Sequence, residues 1–269
     1  MAGNRLILLT RYLMSKIKIF ILLTMVSLLA CRNEDQLQVR HQVTGGIQTN
    51  CYLIFDAKSR EAALIDVAGR VEFLVRQIRE HDLKVKYLLC THSHFDHIIG
   101  LPSVHILFPQ AKVVMHELDY PDIFTQKEWA EKNLGPEFMA YLKADPERKK
   151  IYDFDPQTFP KPDIFAIDEQ VLKLGSLKIR IYHTPGHSPG SISFLVGDSL
   201  FCGDVLFHRT VGRTDVQHSS RKDLIESVKR LYDMLPDKTI VYPGHGKFTD
   251  IGSEKLENSR ISIYGGEWM

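Results

Sequence analysis

The chain has 269 residues, of which 44% are hydrophobic and 25% are charged, and its formal net charge at pH 7 is +1. This composition is that of a globular protein long enough to bury a sizeable core. The balanced charge, without a basic stripe, excludes an electrostatic argument for binding nucleic acid. Four cysteines without a C-x-x-C pair give no thiolate zinc site or redox motif.

Residues 1–30 are predicted to be a signal peptide of the lipoprotein type. Lys16 and Lys18 precede a mostly apolar run over residues 19–30. That run has the length of a secretory signal core and is too short for a transmembrane helix. It ends in Leu-Leu-Ala-Cys, which resembles a bacterial lipobox, so Cys31 is the expected site of lipidation and membrane attachment.

The signal predicts a lipid-anchored protein of the cell envelope. Met14 gives a more compact signal than Met1 and is the expected true start. Residues 31–38 are predicted to form a polar tether and residues 39–269 the folded domain. The alternatives are an uncleaved anchor and an ordinary cleaved signal peptide, which would give a periplasmic or secreted soluble protein.

The folded domain is predicted to mix strands and helices. Residues 117–162 change character, because apolar side chains such as Trp129 and Phe138 stand among many charges before a proline-rich stretch. This segment is predicted to be a helical excursion over the site, with its aromatic side chains in the core. Strands are predicted near 39–43, 51–55, 62–66, 87–90, 112–115, 164–167, 171–174, 177–182, 191–196, 199–202 and 239–242, and helices near 71–78, from 97, 224–235 and from 253.

The densest group of potential metal ligands lies at residues 91–97. His92, His94, Asp96 and His97 follow directly after an apolar strand-like run. Imidazole nitrogen and carboxylate oxygen are ligands that borderline-soft divalent metals prefer. The alternative is a polar loop with several solvated histidines, but a chance cluster of this density is improbable.

Three later segments repeat the pattern of a potential ligand beside glycine at a turn. His187, Asp204 and His245 each stand next to or near a glycine after a β-rich apolar run. Loops at strand ends are where α/β folds place functional side chains, because the sheet beneath them is rigid. Glycine also lets the backbone approach an ion closely.

These motifs resemble those of the metallo-β-lactamase-fold hydrolases. H-x-H-x-D-H, T-P-G-H-S-P-G-S, G-D and P-G-H-G occur in that order. The stretches at 203–207 and 212–215 are similar to the glyoxalase II-like branch, and Arg213 and Asp215 in the second stretch are expected to pair. The resemblance covers about residues 39–258. It implies an α/β fold with an αββα four-layer sandwich, whereas the spacing of elements alone leaves other layered α/β folds open.

The resemblance also implies a site for two divalent metal ions, with zinc expected and iron or manganese as alternatives. The implied ligands are His92, His94 and His187 for the first ion, Asp96, His97 and His245 for the second, and Asp204 as the bridge between them. In this scheme Asp96 also orients the nucleophile and manages its proton. Two ions of this kind can generate a hydroxide at neutral pH.

The implied reaction is hydrolysis of a small-molecule thioester of the hydroxyacyl-glutathione type by a hydroxide that bridges the metals. Longer glyoxalase II enzymes continue into a helical region that supplies basic contacts to glutathione. Here 24 residues follow His245, with Lys247, Lys255 and Arg260 as their basic side chains. Thioester hydrolysis is therefore expected as a class, while glutathione dependence stays open.

Three other functions are weighed against the thioesterase. A persulfide dioxygenase, which resembles this branch, would hold one iron with His92, His187 and Asp204. A zinc β-lactamase of the commonest type carries cysteine where this chain has Asp204. A non-catalytic envelope lipoprotein that binds metal is the third alternative, although structural zinc sites are usually closed and four-coordinate.

Overall fold

The computed structural model of the chain describes residues 36–261. The predicted signal peptide, the lipidation site Cys31 and most of the tether lie outside the described residues. Within the described part, no helix has both the length and the apolar character needed to cross a membrane.

Within residues 36–261, the first sheet has six strands, which lie in the order in which they follow along the chain. Strands β1 to β3 are antiparallel, and β3 to β6 are parallel. Every residue of β2 is buried, as expected for a strand covered on both faces. The strands are β1 (Leu37–Thr44), β2 (Thr49–Asp56), β3 (Glu61–Ile65), β4 (Lys84–Leu89), β5 (Lys112–His116) and β6 (Ile164–Ala166).

The second sheet also has six strands, in the order β14-β13-β10-β9-β8-β7. A short hairpin of two further strands stands apart from both sheets, and it was not predicted from the sequence. The remaining strands are β7 (Val171–Leu174), β8 (Leu177–His183), β9 (Ile192–Val196), β10 (Ser199–Gly203), β11 (Leu206–Phe207), β12 (Thr210–Val211), β13 (Ile240–Pro243) and β14 (Thr249–Asp250).

The helices lie between strands and carry local start signals. Ser220 caps the long helix α7, because its hydroxyl accepts from the Asp223 amide. Leu224, Val228 and Leu231 form the buried stripe of that helix. The α-helices are α1 (Glu72–Glu80), α2 (Phe95–Ile98), α3 (Leu101–Leu107), α4 (Gln126–Asn133), α5 (Gly135–Lys143), α6 (Pro146–Tyr152), α7 (Arg221–Met234) and α8 (Ile251–Glu257).

Three hydrophobic clusters define four layers. The central cluster joins the inner faces of the two sheets, with Ile54 and Leu89 from the first and Ile179 and Phe194 from the second. A second cluster packs α1 and α3 against the outer face of the first sheet, and a third packs α7 and α8 against the second. This arrangement confirms the predicted αββα sandwich.

The helical excursion is present, but the expectation that its aromatic side chains lie in the core holds only in part. Phe154 and Phe159 belong to the cluster on the first sheet, whereas Trp129 and Phe138 do not. Helices α4, α5 and α6 fill its middle, and α4 has no buried residue. Trp129 and Phe138 are half-buried and belong to none of the core clusters of the described residues. They line a cavity instead, because the excursion stands over the site and is not packed between the sheets.

Candidate metal centre

Strand ends from both sheets bring the predicted ligands to one edge of the sandwich. The loop after β4 carries His92 and His94, and α2 carries Asp96 and His97. In the second sheet β8 and β10 are both antiparallel to β9, and β13 is parallel to β10. These three strands therefore run in one direction, and each is followed by a ligand on its next loop. The Ile192 amide donates to the Thr91 carbonyl at 2.8 Å and joins the two sheets here.

His92, His94 and His187 form the first donor group. Each offers one nitrogen, and the three nitrogens lie within 4.8 Å of one another. The His187 Nε2 atom is 2.9 Å from His94 Nδ1. The Oδ2 atom of Asp204 lies 3.5 Å from the same Nε2 atom.

Asp96, His97 and His245 form the second donor group, again with ligand atoms within 4.8 Å of one another. His97 Nε2 is 3.2 Å from His245 Nε2, which is 3.3 Å from the Asp96 carboxylate. The Oδ1 atom of Asp204 lies 3.4 Å from His97 Nε2. Asp204 thus stands between the two groups. Its Oδ1 atom is near His97, and its Oδ2 atom is near both His187 and, at 3.6 Å, His245.

The hydrogen bonds of the first motif fix which nitrogen of each imidazole faces inward. The Thr91 hydroxyl donates its proton to the Asp66 carboxylate at 2.7 Å, so toward His92 Nδ1, 3.0 Å away, it can only accept. His92 therefore carries its proton on Nδ1 and a lone pair on Nε2. His97 Nδ1 lies 2.9 Å from the Asp66 carboxylate, which orients its ring in the same way.

Backbone carbonyls orient two further imidazoles. His187 Nδ1 donates to the Arg213 carbonyl at 2.8 Å, and His245 Nδ1 lies 3.4 Å from the Gln48 carbonyl. In both rings Nε2 is left to face the cluster. Imidazole nitrogens from both groups therefore converge on the carboxylates of Asp96 and Asp204, an arrangement that a cation stabilises.

Two buried atoms at the centre are unsatisfied by the protein. His92 Nε2 and Asp204 Oδ1 have no hydrogen-bond partner among the described residues. Buried polar atoms are normally paired, and an orphaned one points to an ion or water. Nitrogen and carboxylate donors suit zinc and also iron. The residues present therefore fit two divalent metal ions.

The two donor groups differ in protonation. Burial, with His187 beside it, lowers the pKa of His94 to about 3, and burial also holds the pKa of His92 well below its usual value. Burial opposes charge on His97 too, but Asp204, Asp96 and Asp66 outweigh it and raise the pKa of His97 well above its usual value. The first group is thus neutral, while protons balance the carboxylates around the second.

Close backbone approach requires glycine at position 244. A Cβ atom there would lie 2.1 Å from Asp204 Oδ1 and 2.7 Å from His97 Cε1. The Gly244 amide donates to the Gly203 carbonyl at 2.8 Å, which brings the strand end carrying His245 beside the one carrying Asp204. The glycine next to the predicted ligand is therefore needed for contact between the two donor groups.

Two buried carboxylates that support the ligands were not predicted. Asp66 directly follows β3 and holds Thr91 and His97. Asp119 accepts from the Ser93 amide at 2.8 Å, and on the other side from the Ser188 hydroxyl and the Gly190 amide. It thereby ties the loop of the first motif to the loop of His187. Each stands at or soon after a predicted strand, which was the only signal in the sequence.

The remaining candidates are outside the centre. Cys51, Cys90 and Cys202 are free buried thiols, as expected, and none belongs to a donor group of the described residues. Arg213 and Asp215 form the expected pair through two hydrogen bonds of 2.6 and 2.9 Å.

Two of the other histidines, His116 and His183, stack on each other. His116 and His183 have ring centroids 4.1 Å apart and nearly parallel planes. Burial, then the neighbouring His183, lowers the pKa of His116 to about 4. Neither ring belongs to a donor group of the described part of the chain.

A cavity of about 560 Å³ opens over the two groups. Its floor includes His94, Asp96, His187, Asp204 and His245, and its walls include residues of α4, α5 and the β11–β12 hairpin. The donors can therefore act on a small molecule held in this cavity.

Fold and site together define the class of protein. Residues 44–245 match the metallo-beta-lactamase superfamily, and the chain belongs to it. The family resemblance predicted from the motifs is thereby confirmed.

The chain is also similar to individual members of known name. The hydroxyacylglutathione hydrolase GloC of Haemophilus influenzae is 34% identical over 213 residues, which are 78% of this chain and 92% of that protein. The crystal structure of the B3 metallo-beta-lactamase BLEG-1 shares 32% identity and a TM-score of 0.64, covering 82% of this chain and 98% of that one. TTHA1623 in a di-iron-bound form shares 29% identity and a TM-score of 0.62, covering 81% and 98%. The family and the GloC relative support a metal-dependent hydrolase.

Proposed function

We propose that the protein is a two-metal hydrolase that cleaves thioesters of the hydroxyacyl-glutathione type. The convergence of two three-donor groups on either side of Asp204, at the floor of a cavity, carries this proposal. Similarity to a hydroxyacylglutathione hydrolase over most of both chains supports the substrate class.

The donors would hold two divalent ions, the first group one ion and the second group the other, with Asp204 shared. Zinc is the expected metal, and the di-iron-bound relative makes iron the specific competitor. Bound ions of this kind lower the pKa of water toward neutrality and polarise a carbonyl group.

The chain's own residues would orient water and move its proton. The Asp96 carboxylate lines the cavity, and it can accept a hydrogen bond from the attacking water and take its proton. As the new C–O bond forms and the C–S bond breaks, the proton passes to the departing sulfur. Thioester and water thus yield a carboxylic acid and a thiol.

The completeness of the second donor group favours this reaction over the alternatives. A persulfide dioxygenase with one iron would use His92, His187 and Asp204 and leave the second group without a role. A protein that only binds metal would not need donors that open into a cavity of this size.

Metal content and turnover test the proposal together. We expect about two ions per chain after growth without added metal, and hydrolysis of S-lactoylglutathione. Asp96→Ala should abolish turnover while the protein still folds and binds at least one ion. Asp82→Asn, at an exposed carboxylate that pairs with Arg60 and whose left-handed backbone asparagine tolerates, is the control and should retain full activity.

Three results would contradict the proposal. Full activity of Asp96→Ala would remove the proposed role of that residue. About one iron per chain with oxygen consumption on a persulfide would indicate the dioxygenase. Bound metal without turnover of thioesters, esters or lactams would indicate a binding protein.

Export and lipid anchoring at Cys31 complete the proposal and depend on the sequence alone. In cells supplied with labelled palmitate, the wild-type chain should take up label and Cys31→Ser should not. Equal labelling of the two would exclude the anchor.

A further inference from the structure

A wall of large apolar side chains closes one side of the cavity above the donors. Trp129 on α4 and Phe138 and Met139 on α5 line it, with Leu134 between the helices, and each is half-buried. None of the four belongs to a core cluster of residues 36–261. Their apolar surface therefore serves no core and faces whatever enters the cavity.

The wall is bonded to the loop that carries the metal ligands. The Gln126 side chain, at the start of α4, donates to the Ser93 carbonyl at 2.8 Å and accepts from the Phe95 amide at 3.1 Å. Both halves of one amide thus hold the helix against the two residues that flank His94. The wall is therefore positioned relative to the donors by hydrogen bonds.

Apolar side chains from other elements also line the cavity. They are Ile47, Phe207, Val211 and Val216. Outside the donor groups, the charged side chains among the described cavity residues are Lys127 and Arg213, and no carboxylate accompanies them. The carboxylates of a thiol carrier such as glutathione would suit Lys127 and Arg213, and not these apolar side chains. An apolar group beside the scissile bond would bury its surface against both sets of apolar side chains and would therefore bind more tightly.

We infer that the cavity is an acyl subsite, and that the preferred substrates are thioesters with an apolar acyl group longer than acetyl or lactoyl. The inference rests on the proposed function, because it places the thioester carbonyl at the donors. The acyl chain then lies among Trp129, Phe138 and Phe207, which all line the cavity. A cavity of about 560 Å³ has the size that takes a group of this kind.

Binding without turnover tests the subsite independently of hydrolysis. The probes are thioethers of N-acetylcysteamine with ethyl to hexyl chains, which keep the carrier constant and contain no scissile bond. Fluorescence of Trp129 reports binding in metal-loaded Trp268→Phe protein, since position 268 holds the second tryptophan of the chain. Affinity should rise about threefold to fourfold per methylene, or about 80-fold to 250-fold over the four methylenes from ethyl to hexyl.

A wall variant and a matched control locate the effect. Phe138→Ala should reduce the hexyl-to-ethyl affinity ratio by about tenfold. Phe124→Ala, at a 39% exposed ring that contacts Tyr120 and does not line the cavity, should leave the ratio unchanged. A ratio, unlike a single affinity, is insensitive to a general loss of folded protein.

The same chain-length series as thioesters then separates the two proposals. A rising kcat/KM from acetyl to hexanoyl in the wild type, and a flatter rise in Phe138→Ala, would support both. Chain-length-dependent binding without turnover of any thioester would overturn the proposed function and leave the apolar subsite in place. Flat binding, or an equal ratio in wild type and Phe138→Ala, would overturn the subsite whatever the turnover.

Discussion

Replacing Asp119 by asparagine should loosen both loops that carry the first donor group. The carboxylate is fully buried and accepts from the Ser93 amide and Ser188 hydroxyl with one oxygen, and from the Gly190 amide with the other. Burial raises the pKa of Asp119 to about 6, so the group is ionised at neutral pH. Asparagine keeps the shape but offers a single acceptor oxygen.

The size of the expected stability loss follows from the missing acceptor oxygen. In either orientation of the new amide, its NH₂ group faces a buried backbone N–H, of Ser93 or of Gly190. An orphaned buried donor costs about 1–3 kcal/mol. Looser support of the ligand loops should also lower metal affinity by about 10–100-fold, as is usual when groups that orient metal ligands are removed.

The assay has two parts. Urea unfolding of the metal-free protein at pH 7 gives the stability change, and competition with a chromophoric chelator gives the metal affinity. Asp122→Asn is the matched control, because that carboxylate lies in the same segment but pairs with His218. Asp119→Asn within about 0.5 kcal/mol of wild type, with unchanged metal affinity, would refute the reasoning.

Three further predictions concern the centre and its surroundings. Asp66→Asn weakens the hydrogen-bond acceptor of His97 Nδ1 and should lower metal affinity by about 10–100-fold, measured by chelator competition. An unchanged affinity would show that Asp66 does not support His97 as a metal ligand. Gly244→Ala places a methyl group 2.1 Å from Asp204 Oδ1 and should abolish binding of the second ion, so two ions per chain by metal analysis would count against it. Because the pKa of His116 falls to about 4 on folding, the unfolded chain takes up more protons between about pH 6.5 and 4. Stability is then lost as pH falls through this window. In urea unfolding, His116→Gln should lose about 2 kcal/mol less than the wild type between pH 7 and pH 5. An equal loss in the two proteins would exclude His116 as the cause.

The fold and the ligand positions could be predicted from local patterns. Each ligand stands at a turn after an apolar strand, and strand ends in α/β folds gather functional side chains. The αββα layers were implied by the family resemblance that the motifs carry, because the strand and helix periodicities alone are shared by several layered folds.

Partners distant along the chain were decided by the tertiary structure alone. Asp66 and Asp119 look like ordinary acidic residues near strand ends until the sheets bring Thr91, His97 and Ser188 against them. Which nitrogen of each imidazole faces the site likewise depends on the hydrogen-bond partner that the other nitrogen finds in the folded chain.

Local sequence patterns also could not predict that apolar side chains line the cavity. Trp129 and Phe138 carry the same signal as core residues, since an apolar side chain on a helix shows a hydrophobic face but not what covers it. The candidate donor residues could therefore be identified from short motifs, because their chemistry depends on residue type and on the neighbouring glycine. Whether an apolar face meets a core or an open cavity depends on how distant segments stack, and only the folded chain contains that information.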